Sequence, residues 1–209
     1  MDTSKLKLVL VLTCFGGVLT NNIGIADESL TSTYGTLVDE TGQISMPVGF
    51  QRDWTFLGTW SIANEDVDTS SAASGHGAAG LHNVYTQRGT IDHFQKTGKV
   101  PDGAVIVKEL LATTTAPMTT GLVSRGTKIE GWFVMIKDTQ GRFESNPLWG
   151  DGWGWALFSP DQTNSPVTKN YKTECLGCHI PARKDDWLYL DGYPHLRTKE
   201  KQAAVGDDK

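Results

Sequence analysis

The sequence predicts an α+β protein that is mainly β, with an antiparallel sheet and a short helix near the C-terminus. Segments rich in aromatic and β-branched residues recur through the middle of the chain, separated by glycine, proline or polar clusters. No long segment shows the apolar repeat of about 3.6 residues that a helical bundle requires. The 209 residues, of which 38% are apolar, suffice for one globular domain with a core.

We predict that residues 1–26 form a secretory signal peptide. A start containing two lysines precedes an apolar run over residues 8–20, and small residues at 24–26 offer a cleavage site. The run is too short to span a bilayer comfortably, so we expect no membrane span in the mature chain. Attachment of a lipid to Cys14 is the alternative. The sequence therefore predicts an exported, periplasmic protein with a single domain over residues 27–209.

The charge of the chain argues against binding to nucleic acid or to anionic membranes. The formal net charge is −5 at pH 7, from 24 acidic and 19 basic side chains. Partners rich in phosphate require a basic surface, which a mildly acidic chain does not supply. The sequence therefore predicts binding neither to nucleic acid nor to an anionic membrane.

The predicted sheet begins with two strands joined by a long loop. Arg52–Ala63 is rich in aromatic and β-branched residues and predicts the first strand, and Leu81–Gln87 predicts the second. Residues 64–80 between them are rich in serine, glycine and alanine and predict a flexible loop. A short helix is predicted over Thr90–Thr97, and it ends at Gly98.

More strands are predicted in the second half of the chain. The VPDG segment at residues 100–103 predicts a turn. Ala104–Thr115, with branched residues throughout its first half, is the clearest strand, and another lies within Gly121–Asp138. Trp149–Pro160 alternates glycine with tryptophan and predicts a strand whose glycines allow a close backbone approach or a bulge.

The CLGCH segment, which begins at Cys175 and includes Cys178 and His179, has the pattern of covalent c-type haem attachment. Two thiols at this spacing can add to the two vinyl groups of one haem, and the imidazole of His179 then lies beneath the iron. The other ring nitrogen is left for a hydrogen bond that orients the ligand. A short helix that starts near Thr173 is predicted to carry the motif, and Pro181 should end or kink it. The predicted fold is therefore a sheet that covers a haem carried by a C-terminal helix.

Other interpretations of the two cysteines explain less of the pattern. A disulfide is common in exported proteins, but it does not account for the adjacent histidine. A thioredoxin-like site needs a βαβ setting, which is not evident around residue 175. A zinc site needs a second pair of ligands, and the remaining histidines are scattered without metal spacing: His76, His82, His93 and His195.

A plain electron carrier would need a sixth ligand for the iron. Small monohaem carriers place the motif early and supply a methionine later, yet no methionine follows His179 in this chain. The candidates for a sixth ligand are Met46, Met118 and His82. None of them is placed persuasively, so electron transfer is the least favoured function.

Several stretches together resemble the cytochrome P-460 and cytochrome c′-β family. The resemblance runs from about residue 45 to residue 197 and is carried by LHNVY at 81–85, HFQKTG at 93–98, DGAVIVKEL at 102–110, WGWA at 153–156, and the CLGCH motif with GYP at 192–194. It implies an exported monohaem protein, usually a homodimer, whose five-coordinate haem oxidises hydroxylamine, alone or with nitric oxide. The electrons would pass to a soluble partner such as another c-type cytochrome. The cytochrome c′-β branch implies the alternative, which is binding of nitric oxide or carbon monoxide without turnover.

The resemblance also implies a role for Lys108. The enzymatic branch has a lysine bonded to the haem macrocycle, and its place in the DGAVIVKEL run corresponds to Lys108. Strand alternation puts Lys108 on the same face as Ala104, Ile106 and Leu110, in a strand that is apolar on both faces. A buried ammonium is destabilising unless it is paired or chemically altered. The alternative is that Lys108 reaches the surface or pairs with a carboxylate.

His82 departs from the family pattern. By its spacing to Lys108, the enzymatic branch has a distal-pocket arginine at this position. A histidine there can donate a hydrogen bond to substrate, relay a proton or ligate the iron, whereas the alternative is a core histidine bonded to the backbone. The predicted catalytic residues are therefore Lys108 and His82. The predicted haem-binding residues are Cys175, Cys178, His179 and Lys108, with His179 as the iron ligand.

Two further groups of side chains have a structural and a functional interpretation. Aromatic residues on a sheet are commonly core, yet some should touch the haem because it is a large apolar group. The candidates are Phe133, Trp132, Trp149, Trp153, Trp155 and Trp187. Glu174 is either a pocket carboxylate or an acidic residue at a helix N-terminus.

Overall fold

An antiparallel sheet occupies the centre of the structure, which confirms the predicted mainly β class. The computed structural model describes residue 30, residues 33–63 and residues 77–196. The strands in these ranges are β1 (Thr55–Ala63), β2 (Ala78–Thr86), β3 (Val105–Met118), β4 (Gly121–Lys137), β5 (Trp149–Gly150) and β6 (Trp153–Phe158). Their order across the sheet is β1-β2-β3-β4-β6-β5. Residues 33–37 are helical, and the α-helices that follow are α1 (Phe50–Asp53), α2 (Arg88–Thr97), α3 (Tyr171–Glu174) and α4 (Leu176–His179).

Part of the predicted chain lies outside the described residues. This applies to the predicted signal peptide at residues 1–26 and to most of the predicted loop, at residues 64–76. Among the residues that the structure describes, no helix is long and apolar enough to cross a membrane.

The two faces of the sheet carry separate cores, because side chains of β3 alternate between them. Ala104 and Ile106 belong to the cluster on one face, and Val105 and Val107 belong to the cluster on the other. Residues 171–196, here called the C-terminal segment, cover the first face with Trp187, Leu188, Leu190, Tyr193 and Leu196. Residues 37–50 cover the second face with Leu37, Val38, Ile44 and Phe50. The alternation predicted for β3 is therefore present.

Local sequence explains the geometry of the C-terminal segment. The Asn170 side chain accepts a hydrogen bond from the Lys172 N–H at 3.0 Å and caps α3. The predicted single helix is two short turns, because the backbone of Cys175 departs from helical geometry between α3 and α4. Helix α4 ends before Pro181, as predicted, and continues as the 3₁₀ helix Ile180–Asp185.

The predicted strand Trp149–Pro160 is a hairpin instead. Strands β5 and β6 pair antiparallel, with Gly150 opposite Trp153. Asp151 and Gly152 form the turn between them, with φ of 54° and 81°. An Asp-Gly pair favours a two-residue turn of this kind, since both positions need positive φ. The Asp-Gly pair therefore indicated a hairpin, and it describes this segment better than the alternation of glycine with tryptophan.

Two predicted strand boundaries are also wrong. The predicted first strand starts at Arg52, but residues 50–53 form α1 and β1 begins at Thr55. The predicted loop extends to Gly80, but β2 begins at Ala78 and pairs with Ala63 there. The Ala78 N–H also donates to the Ser124 hydroxyl at 2.8 Å, so tertiary contacts extend this strand into a segment of small residues.

Two glycines allow β1 to lie directly against the C-terminal segment. A Cβ at Gly58 would lie 2.1 Å from the Gly192 carbonyl oxygen. A Cβ at Gly192 would lie 2.3 Å from the nearest ring atom of Trp60. Both distances are far below van der Waals contact, so only glycine permits this approach. The contact fixes the 3₁₀ turn Leu190–Gly192 on the edge strand of the sheet.

Candidate functional site

A cavity of about 320 Å³ lies between the sheet and the C-terminal segment. Cys175, Cys178 and His179 line it from the C-terminal segment, and His82 and Lys108 line it from strands β2 and β3. The structure therefore brings together all five residues that the sequence singled out. Cys175 and Cys178 are not joined in a disulfide.

The His179 ring is held in one orientation by a backbone acceptor. Its Nδ1 lies 2.8 Å from the Trp187 carbonyl oxygen. A carbonyl can only accept, so Nδ1 carries the hydrogen and Nε2 keeps its lone pair. The edge of the Trp155 ring packs beside the imidazole, with centroids 5.0 Å apart. Burial, and to a smaller extent the charge of Lys108, lowers the pKa of His179. The neutral tautomer with a free Nε2 is the form that ligates a metal.

Lys108 lies half-buried in the cavity wall without a carboxylate partner. Its Nζ lies 4.6 Å from the centroid of the Phe133 ring. Within the described ranges, no ion pair involves Lys108, and burial lowers the pKa of its ammonium group. The neighbouring Glu109 points to the opposite face, where its Oε1 accepts from Gln51 at 2.9 Å. The charges of Lys108 and Glu109, which are neighbours in sequence, therefore lie on opposite faces of the sheet.

His82 lies on the same face of the sheet as Lys108, two residue positions further along the strands. In the sheet register it pairs with Trp60 of β1 and with Leu110 of β3, while Val84 pairs with Lys108. Burial lowers the pKa of His82, and the positive charge of Lys108 lowers it further. In the part of the chain that the structure describes, its ring makes no hydrogen bond. A neutral imidazole thus faces the cavity.

This pKa shift predicts how His82 affects stability against acid. The unfolded histidine titrates near its ordinary value of 6.5, and the folded one titrates lower. Between these two values the unfolded chain binds a proton that the folded chain does not, so stability falls as the pH drops through this window. In denaturant titrations, we expect wild type to lose more free energy of unfolding than His82→Gln between about pH 7 and about pH 5.

The matched control for that measurement is His93→Gln, which replaces an exposed histidine on α2. We expect it to lose as much free energy of unfolding as wild type. Equal losses in wild type and His82→Gln would show that His82 does not sit in a desolvating environment.

The aromatic candidates divide between the cavity and the two cores. Phe133 and Trp155 line the cavity. Trp155 also stacks on Tyr171, with centroids 6.0 Å apart and an interplanar angle of 9°. Trp153 and Trp187 are core residues on the cavity face, and Trp132 and Trp149 belong to the core on the opposite face. Two of the six aromatic candidates therefore line the cavity, and the other four are core residues.

The two candidate methionines lie away from the cavity, whereas Glu174 lines it. Met46 packs against the core of the opposite face, and Met118 is 60% exposed at the end of β3, so neither can reach the cavity as a sixth ligand. Glu174 lines the cavity, and its carboxylate also accepts from the backbone N–H groups of Lys169 and Asn170. Glu174 is thus an acidic residue at a helix start and a cavity residue at once.

Sequence reasoning missed three aromatic residues at the site: Trp60, Tyr189 and Tyr193. The Tyr189 hydroxyl donates a hydrogen bond to the Cys178 carbonyl oxygen and so helps to fix the position of the CLGCH motif. Burial raises the pKa of Tyr193 to about 12. Trp60 approaches these two rings edge-on, with centroids 6.2 Å from each. No local pattern marks these residues, because the contact between β1 and the C-terminal segment brings them together.

Comparison with known proteins assigns the chain to a family. The family model for cytochrome P460 matches residues 47–190, which is more than half of the chain and includes the CLGCH motif. The chain belongs to the cytochrome P460 family. A search of curated proteins found no match to this chain.

The residues at the cavity fit the haem that a cytochrome P460 binds. The walls are mainly apolar, as a porphyrin requires, and come from residues such as Val84, Ile106 and Phe133. One imidazole of the cavity lining, that of His179, has a free Nε2 and a fixed ring orientation. This protein is therefore a c-type cytochrome of the P460 family, and membership of that family implies that it binds haem and its iron.

Proposed function

We propose that this cytochrome P460 holds haem c through Cys175 and Cys178, uses His179 as the iron ligand, and oxidises hydroxylamine, alone or with nitric oxide. The observation that carries the proposal is Lys108, whose ammonium shares the cavity with both thiols and forms no ion pair within the described chain. Such a group is destabilising as a free cation. A bond from Nζ to a carbon of the haem macrocycle would replace one N–H and one C–H bond, pass two electrons to an external two-electron oxidant, release the protons and leave a nitrogen without the positive charge.

His82 is the proposed proton acceptor. Hydroxylamine loses protons together with electrons when it is oxidised, so the site needs a base. The lowered pKa of His82 keeps its imidazole neutral near pH 7 and able to accept a proton. Val84 and Phe133 are apolar residues of the same cavity lining. When bound, the haem would supply an iron centre that holds hydroxylamine and accepts its electrons.

The cellular setting belongs to the same proposal and is supported by the family resemblance. We propose an exported, periplasmic protein with a single haem domain over residues 27–209. A soluble redox partner such as another c-type cytochrome would take the electrons. We also propose that the protein is a homodimer.

A second candidate is a protein like the cytochromes c′-β, which binds nitric oxide or carbon monoxide without turnover. The observation that favours it is the apolar lining contributed by Trp60, Ile62, Val84 and Ile106. Such walls admit small uncharged gases more readily than a polar substrate. In that case Lys108 would remain a free amine.

The absorption spectrum of the purified, dithionite-reduced protein separates the two functions. We expect a strongly red-shifted ferrous Soret band in wild type, because a bond to Lys108 alters the macrocycle. In Lys108→Arg this band should move to the position of ordinary high-spin haem c. Mass spectrometry of the haem peptide should find the Lys108 peptide attached in wild type alone.

The control is Lys128→Arg, which replaces an exposed lysine on β4 and should keep the wild-type spectrum. A wild-type spectrum of the ordinary high-spin type, with haem attached only to Cys175 and Cys178, would reject hydroxylamine oxidation. It would support the gas-binding function.

A further inference from the structure

We propose that Lys137 and Asp186 are positioning residues for His179. Their ion pair holds a strained turn, and the carbonyl group of that turn fixes the orientation and the basicity of the imidazole. The proposal rests on the proposed role of His179 as the iron ligand. It assigns a purpose to a buried ion pair that does not itself touch the cavity.

The strain lies at two consecutive residues that follow the haem motif. Asp186 and Trp187 have φ of 58° and 68°, in the left-handed region. Glycine adopts this region readily and aspartate tolerates it, but a bulky tryptophan does so only when the surrounding structure imposes it. Such a turn relaxes unless other contacts hold it.

The ion pair supplies one of those contacts. The Asp186 Oδ1 lies 2.5 Å from the Lys137 Nζ, and the two side chains are only 16% and 10% exposed. The Asp186 Oδ2 accepts from the Val100 N–H at 3.0 Å. Both oxygens of the carboxylate are therefore bound to groups outside the C-terminal segment.

Lys137 is itself fixed to the sheet. It is the last residue of β4, and its N–H donates to the Ala104 carbonyl at 2.8 Å. Its Nζ also lies 4.6 Å from the centroid of the Trp153 ring, which is fully buried. The ion pair thus connects the turn to the end of β4 in the central sheet.

The turn transmits this constraint to the imidazole. The Trp187 N–H donates to the Ala182 carbonyl at 3.0 Å, and the Trp187 carbonyl accepts from His179 Nδ1 at 2.8 Å. A hydrogen bond at Nδ1 orients a ligating imidazole and raises its basicity. More basic axial ligation favours the oxidised iron, so the turn should lower the reduction potential.

The test compares Asp186→Asn and Lys137→Met with wild type in the haem-loaded protein. Once the pair is broken, the turn should relax and the bond from Nδ1 to the Trp187 carbonyl should weaken. We expect a lower iron–histidine stretching frequency in resonance Raman spectra and a higher reduction potential. The Nδ1 proton of His179, followed by NMR, should exchange with solvent at least about tenfold faster.

Two controls separate positioning from a general loss of stability. Lys137→Arg keeps a cation at the pair and should restore values near wild type. Asp102→Asn removes a different ion pair, with Arg142, and leaves residues 186–187 untouched. It should lower the midpoint of thermal unfolding without changing the Raman frequency or the potential. If Asp186→Asn does not fold, Lys137→Met alone carries the test.

The outcomes distinguish this proposal from the proposed ligation. Wild type without any iron–histidine band would reject His179 as the ligand. A wild-type band that is unchanged in Asp186→Asn and Lys137→Met would overturn the positioning role and leave the ligation intact.

Discussion

In a Lys108→Arg background, which removes the proposed cross-link, the double replacement Cys175→Ser and Cys178→Ser is expected to abolish covalent attachment of haem. Serine keeps the size of the side chain, but its hydroxyl does not form the thioether that holds haem c. After denaturing electrophoresis, the Lys108→Arg protein should stain for haem, and the double variant in the same background should not. Each single variant should keep one bond, which mass spectrometry would place on the remaining cysteine.

The matched control for this experiment is Cys14→Ser. Cys14 lies outside the described residues and within the predicted signal peptide, so the replacement should leave haem staining at the wild-type level. Haem that survives denaturation in the double variant would contradict attachment through the CLGCH motif.

Gly58→Ala is expected to destabilise the protein more than other glycine replacements in the sheet. The new Cβ would meet the Gly192 carbonyl oxygen at 2.1 Å, and a backbone atom cannot move aside as a flexible side chain can. Overpacking of this kind costs about 3 kcal/mol of the free energy of unfolding. The midpoint of thermal unfolding should fall by roughly 6–12 °C for a domain of this size.

Gly80→Ala provides the comparison for that variant. Gly80 lies in the neighbouring strand β2, and a Cβ there would be 3.4 Å from the nearest atom, the Leu111 carbonyl oxygen. We expect its stability to stay within about 0.5 kcal/mol of wild type. If Gly58→Ala is equally mild, β1 and the Leu190–Gly192 turn are not in direct contact.

Where local pattern is strong, sequence alone predicts this fold well. The run of branched residues after Ala104 correctly located the first half of β3, and the helix α2 ends at Gly98, which adopts the left-handed conformation that favours glycine. The CLGCH spacing also pointed to three residues that share one cavity. Each of these features depends on residues that are close in the chain, so its physical cause is visible in the sequence.

Features that depend on distant contacts could not be predicted in the same way. Lys137 and Asp186 are 49 positions apart, and no spacing indicates that they pair. The left-handed backbone at Trp187 contradicts the preference of its own side chain, because tertiary contacts impose it. The role of Trp60 at the cavity likewise depends on the glycine contact between β1 and the C-terminal segment.

The late position of the CLGCH motif has a consequence for biosynthesis. Chains are made from the N-terminus, and each unit folds as it becomes available. All of the strands described above precede Cys175, and neighbouring strands in the sheet are mostly neighbours in sequence. We expect the sheet to be paired before the two cysteines emerge, so that the haem is joined to a chain that already presents a formed wall. In a chain with an early motif, by contrast, the two cysteines emerge before the strands that would cover the haem.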